Sequence, residues 1–156
     1  MKNILIRTAS ETDLEILSTF ERGIIAAERP FDSTLKEGEI HYYDLRQLIA
    51  RPDAELVVAE IEQEVVGSGY ALIRKAQDYL QHSHYAYLGF MYVKPEHRGK
   101  GINRLILESL KQWALSQGIK EIRLEVYEDN VMARRAYEKA GFKGNLLEMR
   151  LGLNDH

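Results

Sequence analysis

The basic, glycine-containing stretch Arg98-Gly99-Lys100-Gly101 has the residue types that hold an anion close to the main chain. Glycine has no Cβ, so a ligand can approach its backbone N–H directly. An apolar pattern at helical spacing begins at Ile102, and the N–H groups of a helix start carry roughly half a positive charge. The pattern predicts a pyrophosphate-binding turn at a helix N-terminus, with Arg104 supplying a further charge.

The glycine spacing separates this turn from two other phosphate-binding motifs. A nucleotide P-loop places Ser or Thr after Gly-Lys to bind a metal, whereas Lys100 is followed by Gly101 and Ile102. A dinucleotide-binding turn has the spacing Gly-x-Gly-x-x-Gly, which differs from the spacing here. A glycine-rich surface turn with ordinary basic residues is the alternative that the residues leave open.

The sequence predicts strands and helices that would hold this turn in place. The apolar periodicities, caps and breakers predict strands near residues 3–8, 56–61, 65–73, 85–93, 121–126 and 142–151, and helices from the Ser10 cap to 27 and near 39–50, 102–117 and 131–139. The strands at 85–93 and 121–126 should be parallel because a helix crosses between them. Gly67 and Gly69 predict a bulge or close packing in their strand.

Length and composition favour a single domain over residues 1–156. The chain is 45% hydrophobic and 29% charged, which suits one sizeable core. The expected fold is α/β (α+β), with a mixed, mostly antiparallel central sheet of six or seven strands and about four flanking helices. A net charge of −3 argues against a nucleic-acid partner, because no overall basic field attracts phosphates.

The residue types and segments that the sequence lacks exclude several kinds of location and site. No apolar run is long enough to span a bilayer and no signal peptide is recognised, so a cytoplasmic location without a membrane partner is expected. The chain has no cysteine, which excludes thiolate zinc sites and a cysteine acyl-enzyme. Its five histidines lack metal-ligand spacing, so no metal is expected.

A second stretch, 130–142, contains the pattern Asn-x-x-Ala-x-x-x-Tyr-x-x-x-Gly-Phe. Together with Arg98-x-x-Gly101-x-Asn103, it resembles the GNAT family of N-acetyltransferases, whose first signature is Arg/Gln-x-x-Gly-x-Gly/Ala. The order, the spacing and the strand–helix context agree for both stretches. Asn103 stands where the family usually has Gly or Ala, and we expect a modest effect on fit because its backbone amide remains available.

The resemblance implies an acetyl-CoA site between two splayed parallel strands. The pantetheine arm would pair with the main chain at the end of the strand before the turn, and a backbone N–H at the splay would serve as an oxyanion donor. The residues implied in acetyl-CoA binding are Met91, Tyr92, Val93, Arg98, Gly99, Lys100, Gly101, Ile102, Asn103, Arg104, Asn130, Ala133 and Tyr137.

The resemblance also gives Tyr137 the role of the general acid that protonates the leaving CoA thiolate. Simple packing of Tyr137 on its helix is the alternative. Asn130 would fix the pantetheine arm or the strand end, and a helix N-cap explains the same residue. Because the chain offers no cysteine for an acyl-enzyme, direct attack of the acceptor in a ternary complex is expected.

The general base does not follow from the family pattern, because Gly89 stands where many members carry a glutamate. An attacking alkylammonium has a pKa of about 10.4 and must lose a proton. The candidate bases are Glu28, Asp32, Glu125 and His84. A solvated loop explains Glu28 and Asp32 equally well, and an outward-facing strand position explains Glu125.

Acidic and aromatic residues after the first predicted helix favour a cationic amine as the acceptor. They are Glu28, Phe31, Asp32, Glu37, Glu39, Tyr42 and Tyr43, with Tyr79, Tyr85 and Tyr87 as a candidate opposite wall. The expected partner is a primary amine of a small molecule, a peptide or a protein. Core packing or a homodimer face would explain the same aromatic residues.

Two other functions are alternatives to an acetyl-CoA-dependent N-acetyltransferase. A non-catalytic acyl-CoA-binding regulatory module is supported by Gly89 and opposed by Tyr137, since binding alone needs no thiolate acid. A nucleotide-dependent kinase is opposed because the sequence offers no recognisable magnesium-ligand motif.

Overall fold

Five strands form one mixed sheet in the computed structural model, which describes residues 3–154. The strands lie side by side in chain order and are β1 (Ile4–Thr8), β2 (Ala54–Ile61), β3 (Glu64–Lys75), β4 (His84–Val93) and β5 (Ile122–Arg123). The first four pair antiparallel with their neighbours, and β4 pairs parallel with β5. The mixed, mostly antiparallel sheet and its parallel pair are therefore confirmed.

The prediction of six or seven strands is wrong, because residues 3–154 supply five. The segment predicted at 121–126 pairs only over Ile122–Arg123 and is half-buried rather than buried. The segment predicted at 142–151 has the apolar alternation of a strand but joins no ladder. A periodic pattern favours an extended backbone, whereas a strand also needs a neighbouring edge for its N–H and C=O groups.

Residues 3–154 contain four α-helices, the number expected. They are α1 (Leu14–Glu28), α2 (Leu45–Ala50), α3 (Ile102–Ser116) and α4 (Val131–Lys139). The helix α2 is much shorter than the predicted 39–50, because the side chain of Asp44 accepts a hydrogen bond from the Gln47 N–H and caps the helix there. The N–H groups of Tyr42 and Tyr43, which precede Asp44, donate to the Glu21 side chain and not to a helix.

The two faces of the sheet are covered by different helices. Side chains of α1 and α2 pack with one face in a cluster that includes Leu17, Phe20 and Phe90. The helix α3 packs on the strands with Ile106 and others fully buried. A Cβ at Gly69 would lie 2.7 Å from Ile106 Cγ2 and from Met91 Sδ, so the close packing predicted for this glycine is confirmed.

The chain divides into two compact units, Met1–Glu125 and Val126–His156. Every strand of the described residues belongs to the first unit, and α4 belongs to the second. The expectation of one domain over residues 1–156 stays a prediction. Within residues 3–154, no helix has both the length and the apolar character needed to cross a membrane.

In the second unit, α4 has the predicted ends. The Asn130 side chain caps it by accepting a hydrogen bond from the Ala133 N–H at 3.3 Å. Gly141 follows the helix with a φ of +105°, a left-handed conformation suited to a helix end. The Tyr137 and Phe142 rings meet edge to face with centroids 5.8 Å apart.

Candidate functional site

The turn between β4 and α3 has the backbone geometry that the sequence predicts for an anion site. Gly99 and Gly101 are both left-handed, with φ of +79° and +82°, and among the described residues no atom lies within 4 Å of a Cβ added at either position. Gly101 is the N-cap of α3, and no side chain caps this helix end. The N–H groups of the first turn are therefore accessible to an anion that approaches past the two glycines.

Basic side chains surround this turn. The exposed Arg98 donates from its Nε to the Val93 carbonyl at 2.9 Å, which ties the turn to the end of β4. The Lys100 Nζ lies 3.1 Å from His97 Nδ1, and Arg104 is exposed on the first turn of α3. These charges add to the helix dipole, whose positive end is here.

A β-bulge interrupts β4 just before the turn. Ser68 pairs with Tyr92 and Tyr70 pairs with Gly89, so two residues of β4 lie opposite one residue of β3. The bulged residue Phe90 has a φ of +56°, which is unusual for a side chain of this size. The buried Ser68 hydroxyl donates to the Phe90 carbonyl at 2.9 Å and holds the bulge in place.

The edge of β4 beyond this bulge is open. The strand β5 pairs only with Ala86 and Tyr87, and no other strand within residues 3–154 pairs with the rest of β4 on that side. Main-chain groups at Met91–Val93 can therefore bind an amide-bearing ligand as an added strand. The open edge leads directly to the turn at Gly99 and Gly101.

The position of the expected glutamate is filled by another side chain. A Cβ at Gly89 would lie 2.6 Å from the ring and hydroxyl of Tyr70, a distance that real Cβ contacts essentially never show. Tyr70 is buried, with its ring held edge to face against Tyr43. The sequence shows that the glutamate expected at residue 89 is absent, and the structure shows that Tyr70 occupies the space of its side chain.

The substitution Gly89→Ala is therefore expected to destabilise the fold. Forcing a methyl group against the Tyr70 ring should lower the free energy of unfolding by about 1–3 kcal/mol. Urea denaturation measures this change, and Gly144→Ala, where an added Cβ meets no atom within 4 Å, is the control. In a Tyr70→Leu background, Gly89→Ala should lower the free energy of unfolding by a clearly smaller amount. An equal decrease in both backgrounds would contradict the contact between Tyr70 and residue 89.

Three tyrosines and two carboxylates, here called the tyrosine arc, interact with one another, and Tyr70 brings the group into contact with Gly89. They are Glu28, Tyr43, Tyr70, Tyr87 and Glu125. The ring centroids of Tyr43 and Tyr70 are 5.7 Å apart, and those of Tyr70 and Tyr87 are 6.4 Å apart. The Tyr87 hydroxyl donates to Glu125 Oε1 at 2.8 Å. Aromatic faces with two carboxylates form a suitable surface for a cationic amine.

Burial sets the protonation of the tyrosine arc. It raises the pKa of Tyr43, Tyr70 and Tyr87, so all three phenols stay neutral near pH 7. Burial also raises the pKa of Glu28 above its ordinary value, against a smaller opposing effect of a hydrogen bond with Tyr42. A carboxylate with a raised pKa is a better proton acceptor than one on the surface.

A buried carboxylate from α1 positions Tyr43. Glu21 accepts hydrogen bonds from the Tyr42 and Tyr43 N–H groups at 2.8 and 2.9 Å and lies 3.0 Å from His41 Nδ1. The hydrogen bond with Glu21 raises the pKa of His41. The sequence prediction missed Glu21, although its place between Leu17 and apolar residues one turn further on α1 was a usable signal.

The remaining base candidates do not join the tyrosine arc. Asp32 accepts a hydrogen bond from the Thr34 N–H at 2.9 Å and so stabilises its own turn. His84 is exposed at the first residue of β4 and contacts Ser83 at 2.9 Å. Tyr79, proposed for the acceptor wall, lies on a loop with 83% of its surface exposed. Glu28 and Glu125 are therefore the candidate bases that interact with tyrosines of the arc.

One surface cluster has the residue types of a metal site. Ligand atoms of Glu64, Glu96 and His97 lie within 4.8 Å of one another. Glu64 is already bound by the Lys94 Nζ at 2.9 Å, and the two glutamates are exposed. Exposed acidic groups are common without a metal ion, so the expected absence of a metal stays a prediction.

An open sheet edge that leads to a helix N-terminal anion turn fits an extended ligand with amides at one end and phosphates at the other, which is the make-up of an acyl-CoA. The profile of the acetyltransferase (GNAT) family matches residues 23–142, and the chain belongs to this family. The suspected family is thus confirmed.

Individual relatives share parts of the sequence or the whole fold. A streptothricin acetyltransferase from Escherichia coli is 46% identical over 50 residues, 32% of this chain and 29% of that protein. An aminoglycoside N(6')-acetyltransferase type 1 from Stenotrophomonas maltophilia is 28% identical over 78 residues, 48% of this chain and 51% of that protein. The chain thus spans about half or less of these curated relatives.

Likeness to solved structures extends across the chain. The crystal structure of a predicted acetyltransferase with acetyl-CoA from Clostridium acetobutylicum matches 99% of this chain and 99% of that one, with a TM-score of 0.74. The two sequences are 20% identical, so the likeness shows the fold.

Proposed function

We propose that this protein transfers an acetyl group from acetyl-CoA to a primary amine of a small molecule or peptide, by direct attack in a ternary complex. The observation that carries the proposal is the continuous path from the open edge of β4 to the left-handed glycines at the start of α3. A ligand that pairs with the strand would present its phosphates to that helix start. The named activities of the relatives support an amine acceptor.

Binding of the donor is the first thing to test. A saturating ligand at about 100 times its dissociation constant stabilises the folded state by about 2.7 kcal/mol. We expect acetyl-CoA to raise the melting temperature clearly, and thiol release over a panel of cationic amines then reports transfer. No shift at millimolar acetyl-CoA would contradict the proposal. Binding without turnover over a broad amine panel would instead favour an acyl-CoA-binding regulatory module.

The donor supplies an activated thioester, and the residues of the chain supply binding, orientation and proton transfer. The carboxylates and rings of the tyrosine arc attract the acceptor as an ammonium ion. Glu28 takes the proton, so that the amine nitrogen can attack the thioester carbonyl carbon. The C–N bond forms, the C–S bond breaks, and Tyr137 gives a proton to the departing thiolate.

Glu28 rather than Glu125 is proposed as the base, because burial raises the pKa of Glu28 and the Glu125 carboxylate already accepts from Tyr87. A base must be deprotonated, so kcat/KM should fall as the pH drops through a pKa above the ordinary glutamate value of 4.5. Glu28→Gln should lower kcat/KM by about 100-fold or more and remove this acid limb. Measured pH–rate profiles of both enzymes check this.

The matched control is Glu125→Gln, which keeps the shape of the tyrosine arc and the contact with Tyr87. It should weaken amine binding, seen in KM, while the acid limb stays. If the limb disappears in Glu125→Gln and stays in Glu28→Gln, the two roles are exchanged. A limb that survives both substitutions would contradict a carboxylate base in the tyrosine arc.

A further inference from the structure

The side chain of Tyr92, near the end of β4, packs against the helix α1. Its ring centroid is 4.8 Å from that of Phe20, and a Cβ at Gly23 would lie 2.8 Å from Tyr92 Cε1 and Oη. A glycine in a helix interior is less favourable than alanine, so the space that it leaves for this ring is a physical reason for Gly23. The end of the Tyr92 ring is therefore seated on the backbone of α1.

The guanidinium of Arg98 lies over the same ring. Its Cζ is 5.6 Å from the Tyr92 ring centroid, within the distance at which an aromatic face attracts a cation. The Arg98 Nε also donates to the Val93 carbonyl at 2.9 Å. Among residues 3–154, no carboxylate forms an ion pair with Arg98. Neutral groups thus hold this cation, and its charge is not cancelled by an acidic side chain.

A side chain that is held before binding loses less freedom when it binds. A long arginine side chain that moves freely loses rotamer freedom on contact with a ligand, and this loss weakens the binding. Arg98 comes directly before the left-handed Gly99, in the turn that leads to the uncapped start of α3. The ring and the carbonyl therefore restrict Arg98 beside the turn where an anion has access to backbone N–H groups.

We propose that Tyr92 is a positioning residue: its ring, seated on Gly23 of α1, holds the Arg98 guanidinium where it binds a phosphate group. That this phosphate belongs to acetyl-CoA rests on the proposed function. The main chain of Tyr92 can pair with the ligand as part of the open edge of β4, whereas its ring acts through Arg98. The helix α1 thereby contributes to the phosphate site through one aromatic side chain.

Calorimetric titration with acetyl-CoA measures the contribution of the ring. Tyr92→Leu should weaken binding by about 2- to 10-fold, and Tyr92→Phe, which keeps the ring, should bind like the wild-type protein. The matched control is Tyr85→Leu, because Arg123 Cζ lies 3.9 Å from the Tyr85 ring centroid at the other end of β4. This control removes the same kind of contact away from the turn and should leave the affinity unchanged.

A double-mutant cycle shows whether the ring acts through Arg98. In an Arg98→Ala background, Tyr92→Leu should cause no further loss of affinity for acetyl-CoA. An equal loss in both backgrounds would overturn the proposal, because Tyr92 would then affect binding by another route. Unchanged affinity in Tyr92→Leu alone would overturn it as well.

The substitution Gly23→Ala tests the role of α1. Its methyl group would press on the free end of the Tyr92 ring, so the ring should shift while the helix, which alanine favours, stays folded. We expect weaker binding of acetyl-CoA by Gly23→Ala and no further loss when Gly23→Ala is added to Tyr92→Leu. Unchanged affinity in Gly23→Ala would overturn the seating of the ring on α1 as a determinant of binding.

The NMR signal of the Arg98 Nε–H tests the positioning without any ligand. It should exchange slowly with water in the wild-type protein, and its shift should change in Tyr92→Leu and not in Tyr85→Leu. A signal that is insensitive to loss of the Tyr92 ring would overturn the proposal. If acetyl-CoA does not bind, the proposed function fails, and titration of the same variants with inorganic pyrophosphate decides the positioning: weaker binding by Tyr92→Leu supports it, and equal binding overturns it.

Discussion

Acetyl transfer by the Tyr137→Phe variant is expected to fall by about 10²–10⁴-fold, with the affinity for acetyl-CoA unchanged. The reason is that the departing thiolate needs a proton, and a phenol of pKa about 10 can supply one to a thiolate of pKa about 8.5 when the site tunes the pair. The Phe ring keeps the edge-to-face contact with Phe142, so the helix should remain intact. Thiol release gives kcat, and a calorimetric titration gives the dissociation constant.

The control for this prediction is Tyr79→Phe, which removes the same hydroxyl from an exposed loop and should change neither quantity. An unchanged kcat in Tyr137→Phe would show that the thiolate leaves without this acid. A loss of acetyl-CoA binding in parallel with kcat would assign the hydroxyl to binding and not to proton transfer.

The Gly101→Val variant is expected to bind acetyl-CoA at least about 100-fold more weakly, a change of about 2.7 kcal/mol. Its side chain would project into the space past which a phosphate reaches the first N–H groups of α3, and no atom of residues 3–154 lies within 4 Å of the position of its Cβ. A β-branched residue at a φ of +82° is also strained, which should lower the melting temperature. Calorimetric titration with acetyl-CoA measures the affinity.

Gly118→Val separates strain from ligand binding. Gly118 follows the other end of α3 with a φ of +78°, and an added Cβ there likewise meets no atom within 4 Å. Both variants should melt at lower temperature, because both force a β-branched residue into the left-handed region. Only Gly101→Val should lose affinity. Equal losses of affinity would mean that the effect spreads through the helix, and normal binding by Gly101→Val would remove the turn from the ligand site.

The sequence predicted the elements whose cause is local. The β2–β3 hairpin, the helix α3 with its glycine turn and the Asn130 cap each depend on neighbouring residues, and the structure has all three. The start of α2 and the strand at 142–151 were wrong for a different reason. Their outcome depends on distant groups: the buried Glu21 that binds the amides before α2, and a sheet edge for the C-terminal segment.

The candidate site was predicted unevenly for the same reason. Backbone features such as the left-handed glycines follow from residue type, because glycine alone accepts that conformation easily. The tyrosine arc joins three elements through side chains and depends on a bulge that places Gly89 beneath Tyr70. Sequence spacing gave Glu28 and Glu125 as separate candidates, and only the packing of Tyr43, Tyr70 and Tyr87 links them.

The contact of Tyr70 with Gly89 constrains the order in which this site can acquire substitutions. A carboxylate at residue 89 cannot be accommodated while the ring at residue 70 fills its space. Loss of that ring first would leave a cavity in the core, at a cost of about 3–5 kcal/mol when an aromatic is truncated to alanine. Each of these two substitutions made alone therefore destabilises the fold. A change between a tyrosine-lined and a glutamate-bearing site therefore requires both substitutions together, because each one made alone lowers the stability of the fold.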